Sequence, residues 1–464
     1  MPVRARQRRA LDRLLYSAVI CGAIACVSCR GVAPKDGQHA LAADEPSFAE
    51  LATWGAARPV PRSGLIGSDS LPYIPVILAG RIAVDYVGYD SRNVRDSGVR
   101  VDVIEPQLHV GSMTEPLELR VIGDVRGLDS RFGFKEAWAS YANDTLIRAS
   151  AGLLRIPLGV EHSFDEATMP FVGYSFPAWL TGRTDWGLRV DGEIGTGIFS
   201  YDFTAAAGEG FDLNGERLGH PQLALRLVSY PLRGVAPSPP LGGIFLSAAR
   251  SYAPEFAGQL DIATPLRNKV FLVPRLSGDE AAFWHVGYGV DAGALRFTHE
   301  AVYGGIRGLD LPTGGEANLS NQIGSWAATL SWMVTGEPYD SRPFRQRYGR
   351  WSPATHPLEV EQLPRDAAAE FPARAATDGG LGAIELALRY ANADIDRRFF
   401  NLGITDYTQS AQEFRTMTGA ANWYLSRYVR VSAEVVRTIA DQFPAAFDSH
   451  GRDTSFLLRF QLLW

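Results

Sequence analysis

Phe456-Leu457-Leu458-Arg459-Phe460-Gln461-Leu462-Leu463-Trp464 is the stretch on which the fold turns. In an extended chain Phe456, Leu458, Phe460, Leu462 and Trp464 share one face, and Arg459 and Gln461 share the other. An unbroken apolar face closed by an aromatic residue predicts a lipid-facing strand, with those five positions as a barrel insertion signal.

Working back from that strand, the same period of two recurs. Leu117, Leu119, Val121 and Val125 alternate with Glu118, Arg120, Asp124 and Arg126. Ile82, Val84 and Tyr86 alternate with Arg81, Ala83 and Asp85, and Leu188, Val190 and Ile194 alternate with Arg189, Asp191 and Glu193. A soluble β-sandwich alternates as well, with its charged face in water. Strands of about 9–11 residues carrying both charge signs, with Trp179, Trp186, Trp423, Tyr424 and Tyr428 near their ends, favour strands that cross a bilayer at a tilt between aromatic girdles. The expected fold is all-β, a transmembrane antiparallel β-barrel.

The segment before it differs. Arg4, Arg6, Arg8, Arg9 and Arg13 precede an apolar run from Leu14 to Cys29, the pattern of a secretory signal peptide. Ala23-Ile24-Ala25 and Ala40-Leu41-Ala42 both offer small residues for cleavage, and Cys26 or Cys29 offers lipidation; residues 1–43 are read as the signal and processing region. Residues 44–78 are Pro-rich and aperiodic, an N-terminal extension. No apolar run reaches the roughly 20 residues of a spanning helix.

Composition narrows the function classes. All three Cys (21, 26 and 29) lie in the signal region, so the mature chain has no thiol and no cysteine metal site. Cleavage after residue 43 removes seven basic and two acidic residues and moves the net charge from −6 to −11, which argues against nucleic-acid binding. The sequence shows no HExxH, no GxSxG elbow and no phosphate cradle, so no catalytic residue, metal ligand or cofactor site is assigned. His285 and His299 read as lumen or rim residues. Asp202, Glu209 and Asp212 read as a solvated loop tip, with a divalent-ion site as the alternative.

Several stretches resemble the phosphate-selective porin O and P family of bacterial outer membranes, in that family's order. They are Glu136-Ala137-Trp138-Ala139-Ser140-Tyr141, Gly152-Leu153-Leu154-Arg155-Ile156-Pro157-Leu158-Gly159-Val160-Glu161, Gly182-Arg183, Ser331–Pro338 with Tyr339, Gly382–Tyr390 and Asn422-Trp423-Tyr424-Leu425. Arg155 stands where the family has Lys, and Leu158 where it has Phe. The resemblance implies a homotrimeric, water-filled barrel of about 16 strands (16–18) over residues 79–464 in the bacterial outer membrane, in contact with outer-membrane lipid and inserted by the barrel-assembly machinery. It implies a porin for passive diffusion of small hydrophilic solutes, preferring anions such as phosphate, and not an enzyme.

Strand phase places Arg120, Arg126, Arg148, Arg155, Arg189 and Arg226 toward the lumen as pore-lining candidates, with Arg183 at a rim or loop. Arginine can hold phosphate through a bidentate fork. The same strands put Glu118, Asp124, Glu136, Asp185, Asp191 and Glu193 in that lumen, so the arginines also suit wall-bracing ion pairs. Counting strands back from residue 464 places Glu337–Gly380 at the periplasmic end, as two hidden strands or as a long excursion. The alternative function is a non-conducting barrel serving as a surface adhesin or envelope anchor, with Ser229–Gly243 and Glu337–Gly380 as its working surface. A secreted array of soluble sandwiches is the third reading.

Overall fold

The structure is a computed structural model. It describes residues 76–89, 97–110, 117–126, 131–142, 146–156, 158–163, 169–181, 184–194, 198–207, 222–229, 231, 241–253, 256–266, 269–336, 339, 382–425, 429–441 and 452–463. Eighteen strands are found: β1 (Val76–Tyr89), β2 (Gly98–Val110), β3 (Leu117–Arg126), β4 (Arg131–Ala142), β5 (Arg148–Arg155), β6 (Thr184–Ile194), β7 (Phe199–Ala206), β8 (Gln222–Ser229), β9 (Leu241–Ala253), β10 (Phe256–Ala263), β11 (Lys269–Gly278), β12 (Glu280–Ala292), β13 (Leu295–Asp310), β14 (Glu316–Met333), β15 (Ala383–Ile395), β16 (Glu413–Tyr424), β17 (Val429–Ala440) and β18 (Arg452–Leu463). Sixteen of them close into one antiparallel barrel, each paired with its neighbours in sequence, with β9 next to β12; β10 and β11 form a separate hairpin.

The seam joins the ends of the chain's strand order. β1 pairs with β18 from Arg81 opposite Leu463 to Tyr89 opposite Ser455. Closure leaves neither strand with a row of unpaired amides and carbonyls, a requirement for a sheet in lipid. No helix among the described residues is long and apolar enough to cross a membrane. The barrel is of the outer-membrane kind, because its outer face is a belt of apolar side chains.

The alternation in β18 shows how sequence sets the two faces. Phe456, Leu458, Phe460 and Leu462 are exposed on the outer surface, whereas Asp453, Ser455, Leu457, Arg459 and Gln461 are buried inside. Trp464 lies outside the described residues. Tyr141, Trp332 and Trp423 are exposed near the end that carries Leu463, and Trp186 and Trp284 near the opposite end, giving two aromatic rims. Two expected girdle residues are elsewhere. Trp179 lies in the short helix α1 (Phe176–Thr181) and packs against the interior apolar cluster, and Tyr424 points inward as part of a buried hydrogen-bonded group. Tyr428 is outside the described residues.

β14 pairs directly with β15, and the segment Glu337–Gly380 between them lies, apart from Tyr339, outside the described residues. Glu337–Gly380 and Ser229–Gly243 both join strands at the Leu463 end. The interior insertions hang from the other end.

Candidate functional site: the barrel lumen

Among the described residues, two chain segments fold into the barrel. The first leaves β5 at Arg155 and returns at β6, passing through a 3-10 turn (Glu161–Ser163) and α1. Gly152 permits its departure: at φ 134° a Cβ there would lie 2.3 Å from the Ala137 carbonyl oxygen and against Trp138. Ile156 and Leu158 then pack on Ala206, Ala224 and Ala249 of the neighbouring strands β7–β9, and Val160 and Met169 on Val228 and Phe245.

Carboxylates on the opposite wall anchor this infold by its backbone. Glu300 on β13 accepts the Val160 amide at 2.8 Å, the Glu161 amide at 3.3 Å and the Ser175 hydroxyl at 2.9 Å, and His285 Nε2 of β12 lies 3.5 Å away. Glu161 accepts the Ser175 amide at 2.6 Å and Arg389 of β15 at 2.8 Å. Burial pushes the Glu161 carboxyl above the usual carboxylate range; Arg389 pulls the other way and Glu300 adds to the rise. Glu434 of β17 accepts the Val172 amide, and Asn422 of β16 donates to the Pro170 carbonyl at 2.9 Å.

The second insertion is the β10–β11 hairpin. Leu260, Ile262, Val270, Phe271, Val273 and Leu276 form an apolar cluster with Phe176 of the infold and with inward residues of β12–β17. Its tip crosses the interior, where Leu266 packs with Val87 on β1, Val436 on β17 and Leu457 on β18. Infold and hairpin touch: a Cβ at Gly173 would stand 2.0 Å from the Pro265 carbonyl oxygen. A helical turn, α2 (Arg398–Asn401), and the loop after it pin the hairpin from outside, with Thr405 Oγ1 and Ser410 Oγ both donating to the Leu272 carbonyl.

The wall from β1 to β8 is charged instead. Arg81 and Lys135 share Glu105 at 2.9 and 2.8 Å. Arg459 grips Asp85 across the seam with two bonds of 2.7 and 2.8 Å, and also Asp102. Glu136 lies between Arg120 (3.3 Å) and Arg155 (3.2 Å) and accepts the Trp138 indole at 3.2 Å. Arg148 pairs with Asp191 at 3.0 Å, Arg189 reaches Asp191 at 3.3 Å, and Arg226 lies 3.9 Å from Asp202.

Of the arginines expected in the lumen, Arg120, Arg148, Arg155, Arg189 and Arg226 therefore point inward, each beside a carboxylate. Arg126 ends β3 but its side chain lies outside the described residues, as does Arg183. Glu118, Asp124, Glu136, Asp185 and Asp191 also face inward. Two assignments are corrected. Asp202 is no loop-tip residue: it lies within β7, buried, because its inward phase sets it beside Arg189 and Arg226. His299 faces outward, stacked between Tyr288 and Trp326 at centroid distances of 5.2 and 6.1 Å, because it is out of phase with inward Glu300. The anchors Glu300, Glu434 and Ser175 had no sequence signal. Glu161, Arg389 and Asn422, by contrast, all belong to the resemblance stretches.

In three of these pairs water reaches the arginine more than the carboxylate, whereas Arg148 and Arg226 are no more exposed than Glu118 and Asp202. Arg155 and Arg120 side chains are 19% and 15% exposed against 7% for their shared Glu136, and Arg189 is 13% exposed against 1% for Asp191. Asp and Glu are short and stay against the wall, while the longer guanidinium extends past them.

Among solved structures the chain is similar to the outer membrane channel DcaP of Acinetobacter baumannii, with a TM-score of 0.51 at 11% identity over 86% of this chain and 99% of that one. It is also similar to OprB of Pseudomonas putida at high pH, with a TM-score of 0.52 at 11% identity over 90% and 96%. The fold is that of a porin-type outer-membrane barrel. No protein-family model and no curated protein matches the sequence. At such identity the likeness to the channel structures is one of fold, and the porin-type barrel's chemistry has to be argued from its own lumen.

Proposed function

We propose that the chain is a diffusion pore of the outer membrane for small hydrophilic solutes, with a preference for anions, phosphate among them. The observation that carries the reading is the unequal exposure of the lumen ion pairs. Although charges nearly balance along β3–β8, the guanidinium is the more exposed member where Arg120, Arg155 and Arg189 meet Glu136 and Asp191, so a permeating anion meets positive ends at these three positions. We place the residual passage along the charged inner face of β2–β6, since the infold covers β7–β9 and, with the hairpin, the side lined by β12–β18. Arg120, Arg155 and Arg189 act on the permeant; Arg148 and Arg226 brace the wall. No catalytic step is assigned, and the barrel works as a homotrimer inserted by the assembly machinery. Residues 1–43 serve as export signal and 44–78 as the extension before the wall.

Reconstitution in planar bilayers tests the reading. Reversal potentials in a KCl gradient should show anion preference, and added phosphate should lower the chloride current. Cation preference would overturn the selectivity while leaving the pore.

The interior insertions also favour a second reading. Leu266, Val87, Val436 and Leu457 are packed dry, as in a plugged barrel that anchors or adheres without conducting. Well-folded protein giving no channels would establish it in place of the first.

A further inference from the structure

The outer belt is not uniform. Outward positions in the half nearer Leu463 carry no charged side chain among the described residues, yet the opposite edge of β16–β18 presents three arginines to the outside. Arg415, Ile439 and Arg452 lie abreast on neighbouring strands, and Arg437, opposite Met417 and Thr454, lies one outward step deeper. All three arginines are exposed. Strand spacing separates the Cα atoms of Arg415 and Arg452 by about 10 Å, with Arg437 diagonal to each at about 7–8 Å.

Their neighbours do not neutralise them equally. Arg415 pairs with Glu413 at 2.7 Å, on the side away from the belt, and Asp441 beyond Ala440 is taken up by the Gln412 and Glu413 amides. Asp394, opposite Glu413, is as far out. Arg437 has no ion pair or hydrogen bond among the described residues and is the deepest of the three. Three like charges on a low-dielectric face repel one another, and an unpaired arginine at the edge of hydrocarbon is costly without an anion. Met417 lies beside Arg437, and Val435 and Phe456 one outward step below it, all exposed and apolar.

We infer that this edge is a binding site for an anionic lipid whose headgroup carries phosphate, its phosphates held by Arg437, Arg452 and Arg415 and its acyl chains lying over Met417, Val435 and Phe456. Guanidinium forks suit phosphate oxygens, and the step from cationic rim to apolar strand matches one lipid molecule standing upright against the wall. The inference rests on the membrane-spanning reading of the barrel and is independent of whether the lumen conducts.

Native mass spectrometry of the full-length folded protein in mild detergent, with added diphosphoryl lipid A, phosphatidylethanolamine or millimolar sodium phosphate, tests it. The wild type should retain lipid A. R437Q/R452Q should lower the bound fraction about tenfold, R437K/R452K should restore part of it, and R307Q, on a distant strand, should bind as wild type. Channel activity should be the same in all of them. Equal retention by R437Q/R452Q, or displacement of lipid A by phosphate alone, overturns the site. So does a shift from trimer to monomer in R437Q/R452Q, which would mean that a second copy covers the patch.

Discussion

Glu300 accepts the hydroxyl of Ser175 at 2.9 Å, across 125 residues of chain and across the interior of the barrel. The same carboxylate holds the Val160 and Glu161 amides, so one side chain fixes both the entry and the exit of the infold. Glu300→Ala leaves those donors buried without an acceptor. We expect a loss of about 3 kcal/mol, read as a lower temperature for the heat-induced gel shift, with noisier single-channel currents. An unchanged transition and quiet channels would contradict the anchoring role.

Gly173→Ala should drive infold and hairpin apart, since the new Cβ would lie 2.0 Å from backbone at Pro265. Overpacking of this kind costs about 1–3 kcal/mol. Conductance should rise if the two insertions limit flow, and a smaller or equal conductance would mean that they do not.

For selectivity, Arg189→Gln and Arg155→Gln remove water-facing guanidinium while Asp191 and Glu136 remain. One unit charge beside the passage corresponds to about a fivefold change in permeability ratio toward cations, measurable from reversal potentials. Arg226→Gln, at a buried position, should leave the ratio unchanged and lower stability instead.

Leu458→Arg places a charge on the outer face at the middle of β18 and should cost about 2–4 kcal/mol of barrel stability. Folding yields into lipid vesicles report it; a yield equal to wild type would mean that this face does not meet hydrocarbon.

How far could these positions be read from the sequence? The barrel and the inward arginines follow from a period of two, because alternation is a local property of each strand, whereas the strand number comes from the family resemblance. Where that period is broken, reading stops: Trp179 and Ser175 lie in an irregular segment whose partners come from β13–β17, and no pattern in residues 156–181 encodes that meeting. His299 and Tyr424 show a different failure, since residue type suggested a place that strand phase overruled. Asp202 groups in sequence with Glu209 and Asp212, yet its partner Arg226 is on the next strand.

Asp406 supplies a pH test outside the wall. Its carboxylate accepts the Thr408 hydroxyl and the amides of Thr408 (2.7 Å) and Gln409 (3.1 Å), which hold its carboxyl below the usual range. A lowered folded value means the contribution is complete above the free Asp value of about 3.9 and is lost as pH falls through the lowered one. Acidification should therefore loosen the turn that carries Ser410, and with it the hold on Leu272; the exchange of the Leu272 amide should quicken relative to that of a β17 amide. Asp406→Asn should remove this acid dependence.

Leu266, at the hairpin tip, touches β1 and β18 at once, on either side of the strand pair that shuts the cylinder. The hairpin is thus a clasp over the closing seam. Assembly has an order built into it: the interior pieces must dock before or as the first and last strands zip, since a barrel shut around an empty centre would have to admit them through one mouth. Shortening the hairpin should then slow the final closure step of folding more than it lowers the stability of the finished barrel.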